Sequence, residues 1–266
     1  DPTNVDLPVW PYYGRVDQGQ SKLSDRELDF VQSQFAGKVT MVDEQFGNVL
    51  DTLDEQDLWD ETMVIVTSDH GYFLGDHGWV GKNDPPVYDV LARTPLLVWP
   101  PDSDREGEHT NALTSAVDLY STILDALELD VPNHTHGESH LPVVLGDRDT
   151  HRDWALYGYW GATMNVTDGR YTYHHPNYAA EPPRNHSTMM VNPYGWFVPP
   201  KTQENAESGN FLPYTETPVW RYAPSNQSGP EEHLKVSVQH EDPLLYDTEE
   251  DPGQKENLAT KNPTKQ

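Results

Sequence analysis

Residues 62–68, TMVIVTS, form an unbroken apolar and β-branched run that leads straight into DHGYFLGDHGWVGK. Such a run reads as a strand buried on both faces of a parallel sheet. Two Asp-His-Gly triplets follow seven residues apart, and the stretch ends in Lys82. In open α/β sheets the functional loops lie at the carboxyl ends of strands, and Asp69 and His70 occupy that place. A carboxylate and an imidazole there offer hard oxygen and nitrogen to a divalent cation. Gly71, Gly75, Gly78 and Gly81 let the loop fold back tightly and return Lys82 toward the cation. An ammonium in that position suits a bound anion such as sulfate or phosphate. The plainer alternative is a strand-to-loop turn with a capping Asp69 and surface histidines.

The surrounding pattern supplies the layers. Ser24 stands three residues before Glu27 as a capping box, and Val39, Met41, Val42, Phe46, Val49, Leu50 and Leu53 recur at helical spacing. The spacing predicts a long amphipathic helix with a break near Gly37. TPLLVWP, residues 94–100, reads as a second buried strand, and residues 114–129 as a second amphipathic helix. Helix, strand, loop, strand and helix in that order predict an α/β layered sheet with flanking helices. The pattern changes near residue 150. Residues 154–175 alternate around Asp168-Gly169 as a β-hairpin, and the chain closes on a short strand and a turn. The expected division is therefore residues 1–150 as an α/β part and residues 151–266 as a smaller C-terminal antiparallel β subdomain. Residues 1–24 read as a loop, and residues 176–234 as a long insertion or wrapping loop.

Composition narrows the chemistry. The 266 residues carry 44 acidic against 17 basic side chains, a net charge of −27. Phosphate backbones would be repelled, so no nucleic-acid partner is expected. The acids are spread along the chain, as a protein adapted to high salt requires; an ordinary acidic protein is the alternative. No run reaches the ~20 apolar residues of a membrane span. With no cysteine, disulfides, thiolate metal sites and Cys nucleophiles are excluded within this chain. Asn-X-Ser/Thr triplets occur at Asn133, Asn165, Asn185 and Asn226. His134, His136 and His140 are read as surface loop residues, and Trp154, Tyr157, Tyr159 and Trp160 as sheet packing. His174 and His175 end a hairpin strand, which would set them at the border of a substrate cleft.

Residues 62–101 closely resemble the sulfatase family, within the alkaline phosphatase superfamily. Ser68, Asp69, His70, Gly71, Leu74, Gly75, Asp76, His77, Gly78, Lys82, Tyr88, Asp89, Arg93, Pro95 and Leu96 match the family's motif in order. Residues 36–65 resemble the helix leading into its metal-ligand strand, residues 115–127 a later helix, and LLYDTEEDPGQKENLA, residues 244–259, its closing motif. The resemblance implies hydrolysis of a small-molecule or carbohydrate sulfate ester. Asp69 and His70 would be metal ligands, with Ca2+ the usual ion and Mn2+ or Mg2+ as alternatives. Lys82 would contact the sulfate or its bridging oxygen. His77 is a second catalytic candidate, as a substrate contact, with a structural role as the alternative.

The sequence departs from the family in one respect. The Cys/Ser-X-Pro-Ser-Arg motif that yields the formylglycine nucleophile is absent, as is the first pair of metal-binding aspartates. The expectation is a C-terminal portion of a sulfatase that binds metal weakly and is inactive alone. DPTNVDLPVW, the first ten residues, is neither a signal peptide nor a natural start. Two other readings stay open: a phosphonate monoester or phosphodiester hydrolase of the same superfamily, and a non-catalytic acidic binding module on the same fold. Oligomeric state and compartment stay undetermined.

Overall fold

Glu27 starts the first helix: its carboxylate accepts hydrogen bonds from the Ser24 N–H and hydroxyl, both at 2.7 Å. The computed structural model describes residues 23–82, 86–101, 105, 107–158, 163–176, 184–191, 197, 200–222 and 242–259. Helix α1, Asp25–Gln56, runs 32 residues without a break at Gly37. A glycine inside a helix costs about 1 kcal/mol relative to Ala, which thirty-odd well-formed residues absorb. Asp57 ends it in a left-handed conformation, φ 55°, with its N–H on the Leu53 and Asp54 carbonyls. The amphipathic stripe is only partly covered. Leu53 is buried, but Val39, Met41, Val42 and Val49 remain 53–61% exposed.

The strand at the head of the Asp-His loop is β1, Val64–Thr67, and it pairs with β4, Leu96–Trp99, in the register Val64↔Trp99 to Thr67↔Leu96. The pairing is antiparallel and most of its residues are half-buried, which corrects the expectation of two parallel strands buried on both faces. Parallel pairing needs a crossover along one face. Here the intervening residues stay at one end of the strands, as a β2–β3 hairpin (Phe73–Leu74 and Val80–Gly81) and a short helix α2, Asp89–Ala92. The chain therefore re-enters from the end it left.

Helix α3, Asp118–Ala126, is shorter than its apolar pattern. Asp118 in its first turn is fully buried. Its Oδ2 accepts from Ser115 N at 2.9 Å, His151 Nε2 at 3.1 Å and Arg152 Nε at 3.1 Å. Its Oδ1 accepts from Glu138 N at 3.0 Å and from Arg152 Nη2. His140, just before α4 (Leu141–Val144), is not a surface residue as expected but only 2% exposed. The Thr122 hydroxyl accepts from its backbone N–H at 3.0 Å and lies 3.1 Å from its Nδ1. Burial lowers its pKa. His134 and His136 are exposed.

The closing strands make a four-stranded antiparallel sheet in the order β11-β7-β6-β5. Its members are β5, Ala155–Gly158; β6, Met164–Thr167; β7, Tyr171–His175; and β11, Leu244–Asp247. The β6–β7 turn falls on Asp168-Gly169, where Asp168 Oδ1 accepts from Arg170 N at 2.9 Å and Tyr171 N at 2.6 Å. One face, carrying Ala155, Asn165, Thr172, His174 and Tyr246, is buried, and Asn165 Nδ2 donates to Val87 O at 3.3 Å. Asn165, at 0% exposure, is therefore out of reach of glycosylation, whereas Asn133 is exposed and Asn226 lies outside the described residues. Trp154 is exposed rather than packed; Tyr159 and Trp160 lie outside the described residues.

The stretch expected as a wrapping loop holds a second sheet, β8-β10-β9. It comprises β8, Asn185–Ser187; β9, Glu207–Gly209; and β10, Val219–Tyr222, with a helical turn α5, Pro200–Gln203, between β8 and β9. Strands of three or four residues amid Pro and Asn carry too little periodicity to be read. Among the described residues no helix is long and apolar enough to cross a membrane.

The charge of −27 sets an expected result. The melting temperature should rise between dilute buffer and molar KCl, where the Debye length falls to ~3 Å. A flat melting temperature counts against adaptation to high salt.

Candidate functional site

Asp69 and His70 follow β1 directly, and Ser68 Oγ donates to His70 O at 2.8 Å to tighten the exit. Gly71 then passes against α2: its N–H donates to Leu91 O at 2.8 Å, and a Cβ at this position would sit 1.8 Å from Val90 O. Only glycine allows that approach, so the backbone of α2 fixes where the loop begins.

The side chains of Asp69, His70 and Lys82 converge. Asp69 Oδ1 accepts from the His70 backbone N–H at 2.9 Å, and Asp69 Oδ2 lies 3.1 Å from His70 Nε2. His70 Nδ1 donates to Gly71 O at 2.8 Å, which leaves Nε2 as the bare nitrogen. Lys82 Nζ donates to that nitrogen at 2.6 Å. The β2–β3 hairpin has thus returned the lysine across the loop, and its ammonium stands where a carboxylate and an imidazole lone pair meet. The Asp69 side chain is 81% exposed and the His70 side chain 36%, so the cluster opens to solvent. Among the described residues no group of three or more His, Cys, Asp or Glu forms a complete metal cage. The donor set fits a divalent cation as two of its ligands, a hard oxygen and an imidazole nitrogen aimed at one cation-filled spot.

His77 sits at the hairpin tip with φ 51°. Its ring stacks on Tyr88 at 3.9 Å with an interplanar angle of 5° and feels the pull of the Gly253 carbonyl. Burial lowers its pKa, against the pull of that carbonyl and of Asp76. Tyr88 in turn packs against His174 at 5.7 Å and Tyr246 at 5.8 Å, and the Tyr246 hydroxyl bonds that of Tyr88. His174 is fully buried in this packing rather than bordering a cleft. Gln254 Oε1 accepts from Asp89 N at 2.6 Å at the start of α2. Burial raises the Asp89 carboxyl, opposed by Arg93. Sequence reasoning missed that Tyr88, Tyr246 and Gln254 support the loop. The closing motif was legible, but its contacts span up to 165 positions, beyond any local pattern.

The sulfatase family model matches residues 11–129. An N-acetylglucosamine-6-O-sulfatase of Bacteroides thetaiotaomicron is 32% identical over 143 residues, 54% of this chain and 25% of that protein. This chain therefore spans about a quarter of that relative's length. Among solved structures, BT1596, a 2-O GAG sulfatase, superposes with a TM-score of 0.60 at 19% identity over 99% of this chain and 46% of that one. A phosphonate monoester hydrolase from Silicibacter pomeroyi superposes with a TM-score of 0.53 at 26% identity, covering 65% and 42%. With the Asp-His loop, the returning lysine and the closing motif in the family's order, these matches make residues 11–129 similar to the sulfatase family.

Proposed function

We propose that this chain forms the metal-holding and leaving-group side of a sulfate ester hydrolase acting on sulfated carbohydrate. The observation that carries this reading is the meeting of Asp69 Oδ2, His70 Nε2 and Lys82 Nζ at the end of β1. Asp69 and His70 would hold a divalent cation, Ca2+ first and Mn2+ or Mg2+ as alternatives. When bound, the cation neutralises the sulfate oxygens. Lys82, whose Nζ meets His70 Nε2 at 2.6 Å, would face the bridging oxygen and stabilise the negative charge it gains as the S–O bond breaks. A sugar ester is favoured because the similar Bacteroides protein is named for N-acetylglucosamine 6-sulfate.

The formylglycine nucleophile and the remaining metal ligands would come from a polypeptide segment that these residues do not include. Among the described residues the stripe on α1 is partly uncovered and the β1–β4 sheet has two strands, which supports this, since such a sheet is marginal unless something packs on it.

Asp69→Ala tests the reading. Metal content and ester turnover of the enzyme carrying this chain are expected to fall together, because one of few anionic ligands is lost. Unchanged metal affinity in the variant rules out Asp69 as a ligand. The likeness to a phosphonate monoester hydrolase favours one second reading. Rates on matched sulfate and phosphonate esters separate the two.

A further inference from the structure

The β2–β3 hairpin that carries Lys82 is short, and at its base it is held by the buried Phe73 and by Gln32 Nε2, which donates to Leu74 O at 2.7 Å. It pairs only Phe73↔Gly81 and Leu74↔Val80. Its turn is closed by Gly75 N to Trp79 O at 2.8 Å, Gly78 N to Gly75 O at 2.9 Å and Trp79 N to Asp76 O at 2.9 Å. Two-residue strands do not fix the direction of a hairpin by themselves. Yet Lys82, next after β3, must place Nζ within 2.6 Å of His70 Nε2.

A second hold lies at the tip. His77 lies there in the left-handed region, φ 51°, a conformation that costs a non-glycine residue about 1 kcal/mol or more and persists because the surroundings hold it. The ring is gripped on two sides. Its face lies flat on Tyr88. Phe73, fully buried at the base of the hairpin, meets the same imidazole edge-on at 6.4 Å. The closing turn is itself fixed. Gln254 N donates to Asp251 O at 2.9 Å, the Gln254 side chain holds Asp89 N, and Leu258 N returns to Leu245 O at 2.8 Å on β11. A continuous path of contacts thus runs from the C-terminal sheet through Tyr246, Tyr88 and His77 into the hairpin, with Gln254 of the closing turn holding Asp89 beside Tyr88.

We infer that His77 is a positioning residue: stacked on Tyr88, whose neighbour Asp89 is held by Gln254, it aims the β2–β3 hairpin so that Lys82 reaches the anion site, which makes the closing turn at residues 251–254 part of the support of that site. The inference rests on the reading of Lys82 as the contact to the ester oxygen. It differs from a substrate-contact role because it acts through Lys82 alone.

Two measurements test it. Amide exchange on this chain reads the clamp. His77→Ala should raise exchange at Gly75, Gly78 and Trp79 while β5, β6 and β7 keep wild-type protection, and His77→Phe, which keeps the stack, should raise it less. Kinetics on the enzyme carrying this chain read the consequence. His77→Ala should lower kcat on the order of ten- to hundredfold, as a misplaced group does, with KM little changed. The loss should be larger for a poor leaving group than for an acidic phenol, as with Lys82→Ala. The double variant His77→Ala/Lys82→Ala should be no slower than Lys82→Ala alone, because residues acting through one another are non-additive. Additive losses in the double variant, or a loss independent of leaving group, overturn positioning through Lys82. Unchanged exchange at the hairpin overturns the clamp whatever the kinetics show. A wild-type enzyme inert toward both esters sinks the hydrolase reading and the kinetic half of the proposal together, and the exchange result then stands or falls alone.

Discussion

Replacing Lys82 with Ala is expected to cut sulfate ester turnover about 100-fold or more, the usual cost of losing one preorganised donor at a developing charge. The contact strengthens as the bridging oxygen gains charge, so the loss falls on kcat more than on KM. Metal content is expected to stay intact, because Lys82 is not among the proposed ligands, Asp69 and His70. Esters with very acidic leaving groups should show a smaller defect, since they depart with less help. Lys82→Arg should rescue poorly, because a planar fork replaces a compact charge. Near-normal turnover of a poor leaving group by Lys82→Ala would show that the ammonium plays no part at the ester.

Asp118→Ala should be the most damaging single change to stability away from the site. The carboxylate is fully buried and gathers Arg152, His151 and two backbone N–H groups. Truncation leaves the Arg152 charge beside an empty site, and breaking a buried pair costs roughly 3–5 kcal/mol. For a chain of this size that corresponds to a drop in melting temperature of about 10 °C. Asp118→Asn, which keeps an acceptor but loses the charge, should lie between. A shift within ~1 °C for Asp118→Ala, by thermal unfolding at fixed salt, would show that the network contributes nothing net.

The sequence determined the elements whose cause is local. The Ser24–Glu27 box, the 3.6-residue apolar stripe and the Asp168-Gly169 turn each act over a few positions, and α1 and the β6–β7 hairpin formed where those signals lay. The return of Lys82 toward His70 was equally legible, because Gly71, Gly75, Gly78 and Gly81 let the loop fold back on itself.

Tertiary structure alone decided direction, burial and support. Whether β1 and β4 run parallel or antiparallel depends on where the intervening chain packs, and a hydrophobic run looks the same in both cases. The burial of His140 and Asn165 follows from which elements fold over them, not from their own character. The stack of His77 on Tyr88 and the grip of Gln254 on Asp89 join segments far apart in the chain. Packing creates such contacts only once the C-terminal sheet closes under α2, and no local pattern of residues encodes them.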